Sequence, residues 1–347
     1  LNDLEQMVGD QDVLFYPASF RRPYQIEDTD NANVLLRAEV LNRINSRKKP
    51  AIIVSYPEAL FEKVVTRKEL DKNTLKVTLG DQISIDFINE ILFEYEFKRV
   101  DFITEPGEFS VRGGIVDVFS FSNDNPYRIE FFGNEVDSIR TFDVATQLSL
   151  EQQKKITIIP NVENKFFQEN RESFLDYISD KTVLFIQNTE GFLSQLDKQF
   201  AKAEEAFEKL SKDIQHATPE QLFLNQEQFI KRALDFSVVE LASKPVFKTT
   251  KKFYFHIQPQ PSFNKQFDLL LNNLNDNHFN GYKNYLFCSN DNQAKRFHDI
   301  FETLDEANSE NIRKQYNTIV LPLYQGFIDE ENQITCYTDH QIFERYH

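Results

Sequence analysis

The sequence predicts a multidomain α/β chain with a small α+β unit inserted near its middle and a further small α/β unit at its end. Three observations carry this. Apolar strands alternate with helical stripes in the first stretch and again after about residue 163. Between them, one amphipathic helix is followed by closely spaced strands punctuated by Gly and Pro. Finally, 347 residues at roughly 100–200 residues per domain make two or three domains. The implied parts are 1–75 with 163–242, 76–162, and 250–347. A hydrophobic share of 40% excludes wholesale disorder, and 34 Phe against 13 Tyr and no Trp predict Phe-rich cores.

The elements follow in order. Asp12–Pro17 reads as a strand and Ala51–Ser55 as a short buried strand, and between them Asn31–Arg47 has helical spacing with Val34, Leu35, Ala38 and Leu41 on one stripe. This β-α-β order argues for a parallel layer. Ser84 can cap a helix whose Phe87, Ile91 and Tyr95 form a stripe widened by Ile88 and Leu92. After Pro106-Gly107 come three strands: Glu108–Arg112 running on to Ile115–Phe119 through a bulge or bend at Gly113-Gly114, then Tyr127–Phe132 and Glu135–Phe142. Gly133-Asn134 fits a two-residue hairpin turn. The α/β rhythm resumes with a strand at Thr182–Ile186 and a helix striped by Phe192, Leu196, Phe200, Ala203, Phe207 and Leu210. Asn225 and Gln228 suit a capping box, and Val238-Val239 mark a strand. The last unit reads as strands at Phe253–His256, Tyr285–Cys288, Thr318–Leu321 and Ile334–Tyr337, with helices at Phe267–Leu274 and Gln293–Leu304.

Composition excludes several functions. With 39 basic against 55 acidic side chains the net charge is −16, which disfavours a dedicated duplex-DNA surface because phosphates need clustered Lys and Arg. None of the 9 glycines is followed by Lys and a hydroxyl residue, so no phosphate-cradling loop is present, and G-x-G-x-x-G and G-x-S-x-G are missing too. The 6 histidines lack zinc-ligand spacing, and Cys288 and Cys336 read as two buried reduced thiols. No catalytic, cofactor or metal residue is therefore assigned. No apolar run reaches the ~18–20 residues of a membrane span and no signal peptide opens the chain, so a cytoplasmic location is expected. The chain starts at Leu1 with Met7 as its only methionine, which reads as a piece of a longer protein.

The informative stretch is the hairpin. With Gly133-Asn134 as its turn, Phe132 faces Glu135, Phe131 faces Val136 and Ile129 faces Ser138. Alternation then sets Ile129, Phe131 and Val136 on an apolar face towards the helix, and Arg128, Glu130, Phe132, Glu135, Asp137 and Ile139 on the other. An aromatic beside an arginine on a charged sheet face is the make-up of a protein-binding hot spot, and Arg112 can join it. The rival reading is that another domain of the chain covers Phe132, or that Arg128 merely pairs across the hairpin with a carboxylate.

Phe109-Ser-Val-Arg-Gly-Gly-Ile-Val-Asp-Val-Phe119, with Pro126-Tyr-Arg-Ile-Glu-Phe-Phe-Gly-Asn-Glu-Val-Asp-Ser-Ile-Arg-Thr-Phe-Asp143, resembles the UvrA-binding domain shared by the excision-repair protein UvrB and the bacterial transcription-repair coupling factors (Mfd). Pro126-Tyr-Arg and Phe142-Asp-Val-Ala-Thr-Gln147 lean towards the coupling factors. Tyr16 to Val34 offers only Tyr16, Phe20 and Tyr24 where UvrB carries a long tyrosine-rich hairpin, and Ile334-Thr-Cys-Tyr-Thr-Asp-His-Gln-Ile-Phe343 resembles the end of the coupling factors' third domain.

This resemblance implies an incomplete RecA-like α/β domain over 1–75 and 163–242, lacking its N-terminal part. It further implies a UvrA-binding α+β domain at 76–162 and a third small α/β domain at 250–347. It places the family's UvrA contacts on Arg112, Arg128 and Phe132, and makes the chain a non-catalytic module recruiting UvrA to stalled transcription complexes in nucleotide excision repair. ATP and Mg, RNA polymerase and DNA would then be handled by domains outside this chain, and a C-terminal domain would mask the UvrA face intramolecularly. The alternative is a fragment of a UvrB-like helicase that binds ATP and damaged DNA.

Overall fold

The computed structural model describes residues 1–9, 12–19, 24, 31–46, 49–161, 171–210, 217–248, 250–304 and 315–343. Phe20, Arg47, His216, His347 and the boundary expected at 162–163 lie outside them. The chain divides into two compact units, Leu14–Lys248 and Leu1–Val13 with Thr249–His347. Residues 1–13, read from sequence as part of the first domain, thus cluster with the last unit. There the Asp3 carboxylate accepts a hydrogen bond from the Tyr324 backbone N–H at 3.0 Å.

Within the Leu14–Lys248 unit, the Asn31–Ser46 helix buries Val34, Ala38 and Leu41. The strands Val183–Gln187 and Ser237–Leu241 pair in parallel, with Phe185 opposite Val239. Between them runs the Thr189–Glu208 helix, whose Leu196, Phe200 and Ala203 bury along the expected stripe. Asn225 and Gln228 form the expected capping box.

An antiparallel ribbon leads into and out of the sheet that matters most. Leu75–Thr78 pairs with Lys155–Ile158, so that Leu75 stands opposite Ile158. From this ribbon hangs a six-stranded sheet of, in spatial order, Ser149–Gln152, Glu135–Phe142, Tyr127–Phe132, Ile115–Val118, Glu108–Arg112 and Lys98–Arg99. The Ile85–Glu94 helix is capped by the Ser84 hydroxyl, which accepts from the Phe87 N–H. Its buried residues are Ile88 and Leu92, whereas Phe87 is exposed, so the buried stripe runs one position on from its expected centre. Ile88 and Leu92 share one core with Phe109, Val116, Val118, Ile129, Val136 and Ile139.

Two expectations for this sheet need correction. Gly113-Gly114 is the turn of a hairpin, with Arg112 opposite Ile115, rather than a bend inside one strand. Its first glycine takes φ +58°, a left-handed conformation that glycine adopts without the usual Cβ penalty. The second hairpin also departs from simple alternation. Phe132 faces Glu135 and Phe131 faces Val136 as expected, but a bulge follows, and Ile129 faces Ile139 instead of Ser138. One extra residue reverses the alternation of its strand beyond that point. Ile139 therefore joins the buried face, while Ser138 and Arg140 turn to the other side with Glu130.

The last unit is built on a five-stranded sheet ordered Ile257–Pro259, Phe327–Asp329, Ile334–Thr338, Lys283–Cys288 and Tyr316–Val320. Lys283–Cys288 is parallel to both its neighbours, and the other two pairings are antiparallel. The helices Phe267–Phe279 and Asp291–Leu304 bury Leu270, Leu274, Phe297 and Phe301 against it. Phe253–His256, expected as a strand, forms none; its aromatic side chains are exposed and pairing begins at Ile257. Cys288 and Cys336 are free and buried, as expected. Burial pushes their thiols up to about 12 and about 11, aided by the Asp339 and Asp329 carboxylates respectively. Among the described residues no helix is long and apolar enough to cross a membrane.

Candidate functional site

The outward face of the six-stranded sheet is organised by register. Ser110, Asp117, Arg128 and Arg140 lie in one row across four strands. Arg112, Ile115, Glu130 and Ser138 form the next row, and Phe132 with Glu135 forms the last, at the hairpin tip. At the opposite end this face is closed by a small cluster of Ile103, Phe119 and Phe142, with Val100 and Val144 packed against it.

Asp117 is the centre of the arrangement. Its side chain is only 2% exposed, yet it is charged, and such a group needs close partners. Arg128 supplies two, Nε donating to Oδ1 at 2.7 Å and Nη2 to Oδ2 at 2.8 Å, and Arg112 Nη2 donates to Oδ2 at 2.5 Å. The bidentate fork fixes the Arg128 guanidinium, which also lies 4.4 Å from the Phe142 ring centroid and directs Nη1 at the Gln147 carbonyl, 3.4 Å away. The hydrogen bonds to Asp117 push the Arg128 pKa up, against the opposing effect of burial. Arg128 is 15% exposed and Arg112 42%. Arg140 and Ser138 both donate to Glu130, which pairs off the neighbouring charges.

Phe132 is 82% exposed among these polar neighbours. Its turn, Gly133-Asn134, has positive φ at the glycine alone (+65°), the pattern of a turn with Gly first. Of the three residues singled out from the sequence, the structure joins Arg112 and Arg128 on one carboxylate. It leaves Phe132 farther along the same face, in no described ring contact. Arg128 does pair with a carboxylate, as the rival reading held, but on the neighbouring strand instead of across the hairpin. Sequence reasoning missed Asp117 and also Phe102, a 63% exposed ring with the Arg112 guanidinium 5.4 Å from its centroid. Treating Gly113-Gly114 as a turn would have exposed Asp117, because that register sets it beside Ser110 and Arg128.

An exposed aromatic, a half-exposed arginine and a buried carboxylate that restrains two guanidiniums thus share one face, and aromatic and arginine side chains are the types enriched at protein-binding hot spots. Among the described residues no group of three or more His, Cys, Asp or Glu could hold a metal ion. Residues 75–164 match the UvrB interaction domain family. The chain is similar to the transcription-repair-coupling factors: 33% identical over 160 residues to that of Bacillus subtilis, 29% over 194 residues to that of Haemophilus influenzae, and 29% over 138 residues to that of Escherichia coli. These matches cover 46%, 54% and 40% of the chain but only 13%, 17% and 12% of the relatives' own lengths.

Proposed function

We propose that this chain is a non-catalytic docking module of a transcription-repair-coupling factor, and that residues 76–162 bind UvrA to bring it to stalled transcription complexes for nucleotide excision repair. Residues 14–75 with the stretch from 163 to 242 form the α/β body, of RecA-like kind, that carries this unit, and 250–347, joined by 1–13, form a separate small α/β domain. The supporting observation is the Asp117-held arginine pair on the same sheet face as an 82% exposed Phe132, inside the segment that matches the UvrB interaction domain. Arg112 and Arg128 supply positive charge to acidic side chains of UvrA, and Phe132 fills an apolar pocket. The chain itself needs no cofactor for this, and DNA and RNA polymerase are engaged by other parts of such a factor.

Titration of UvrA with the chain and with Arg128→Ala and Phe132→Ala variants tests the reading. A hot-spot phenylalanine is expected to cost about 2 kcal/mol or more on truncation, roughly a thirtyfold weaker Kd. Loss of an arginine from a buried charge pair is expected to cost about 2–5 kcal/mol. Equal affinity for all three chains would sink the site assignment, and no binding by the unaltered chain would sink the function.

A further inference from the structure

We infer that Asp117 is a positioning residue that presents Arg112, backed by the Phe102 ring, to a single acidic side chain of the partner. This rests on the docking function proposed above and specifies the chemistry of the same face. Asp117 binds both arginines, but it leaves them in different states. Arg128 spends Nε and Nη2 on the carboxylate, aims Nη1 at the Gln147 carbonyl, and packs on Phe142, so little of it faces outward. Arg112 gives one Nη2 bond to Asp117, and its side chain is 42% exposed beside Phe102.

The charge count has the same direction. Two guanidiniums meet one carboxylate, which leaves one positive charge in the cluster, and the adjacent Arg140 and Glu130 neutralise each other. The excess charge is accessible at Arg112. One partner carboxylate balances the cluster's charge; a second would leave it with a net negative charge. Phe102 offers apolar area directly at Arg112, so the acidic side chain is expected to stand next to an apolar group, the usual surround of a desolvated hot spot. Arg128 in this arrangement works through Asp117: without it, Asp117 alone cancels the charge of Arg112.

The test combines binding with a readout on the free chain. Asp117→Asn is expected to weaken UvrA binding about tenfold, although it makes the face more positive. A contribution from long-range charge alone would strengthen binding to an acidic partner. In an Arg112→Ala background the same substitution is expected to change Kd by less than about twofold, because the residue it positions is gone. In the free chain, NMR of the arginine side chains should show a slowly exchanging Arg128 Nε–H that Asp117→Asn abolishes. Phe102→Ala, at a 63% exposed position, should weaken binding about threefold to tenfold with an unchanged unfolding midpoint. Unaltered or tighter binding by Asp117→Asn, an undiminished tenfold loss in the Arg112→Ala background, or no effect of Phe102→Ala would each overturn the inference. If the unaltered chain fails to bind while the Arg128 Nε–H signal is present, the docking function itself falls and this role of Asp117 falls with it.

Discussion

Phe132 and Arg128 stand on one strand and one face, yet their removal should be felt in different measurements. Phe132 is 82% exposed, so Phe132→Ala is expected to shift stability by no more than about 0.5 kcal/mol and to register in UvrA binding alone. Arg128 holds the buried Asp117 carboxylate through two hydrogen bonds. Arg128→Ala should therefore lower both affinity and stability, the latter by about 1–3 kcal/mol in urea denaturation. The loss stays below that of a fully broken buried pair because Arg112 still faces Asp117. Both residues were legible in the sequence, since alternation alone puts 128 and 132 on a common face. Asp117 was not, because its significance is a cross-strand relation, and misreading Gly113-Gly114 as a bend removed the strand that would have supplied it.

At the scale of the element, the strands between 108 and 142 were readable because each is short, alternating and bounded by Gly or Pro. The bulge was not read, although it leaves a mark: Val136 and Ile139 stand three positions apart with polar Asp137 and Ser138 between them, a break in alternation that the pairing resolves by turning Ile139 inward. Phe253–His256 failed in the opposite sense. Its aromatic composition suits a strand, but strand preference expresses packing against neighbours, and no ladder forms there. The glycine turns carry their own expectation. Gly113→Ala puts a Cβ on a left-handed residue and should cost about 1–2 kcal/mol, seen as a lower urea midpoint. Gly326→Ala in the last unit should be worse, since a Cβ there would come within 2.4 Å of the Cys336 carbonyl oxygen and 2.2 Å of Gln260 Oε1.

At the scale of the whole molecule, the net charge of −16 bounds the partner chemistry without locating it; the location proposed above rests on one carboxylate shared by two arginines. Buried acids that hold their protons also set an alkaline limit. Desolvation pushes Tyr95 and Tyr127 up from 10.0 to about 12, and Cys288 and Cys336 up from 9.0 to about 12 and about 11. Below pH 9 the folded and unfolded chains hold these protons alike, so stability is fully present. As pH rises from 9 towards 12 the unfolded chain releases them first, and stability falls. Denaturant midpoints measured between pH 7 and 11 should stay flat and then decline, and both thiols should resist alkylation at pH 8 until the chain is unfolded. The paired strands Leu75–Thr78 and Lys155–Ile158 have a mechanical consequence. Because the chain enters at Leu75 and leaves at Ile158, directly opposite, tension along the polypeptide would open this ribbon from one end, loading its hydrogen bonds one after another instead of together. The six-stranded sheet is thus entered and left through a zipper, and a steady pull between the two flanking segments should open this ribbon pair by pair while the sheet stays folded.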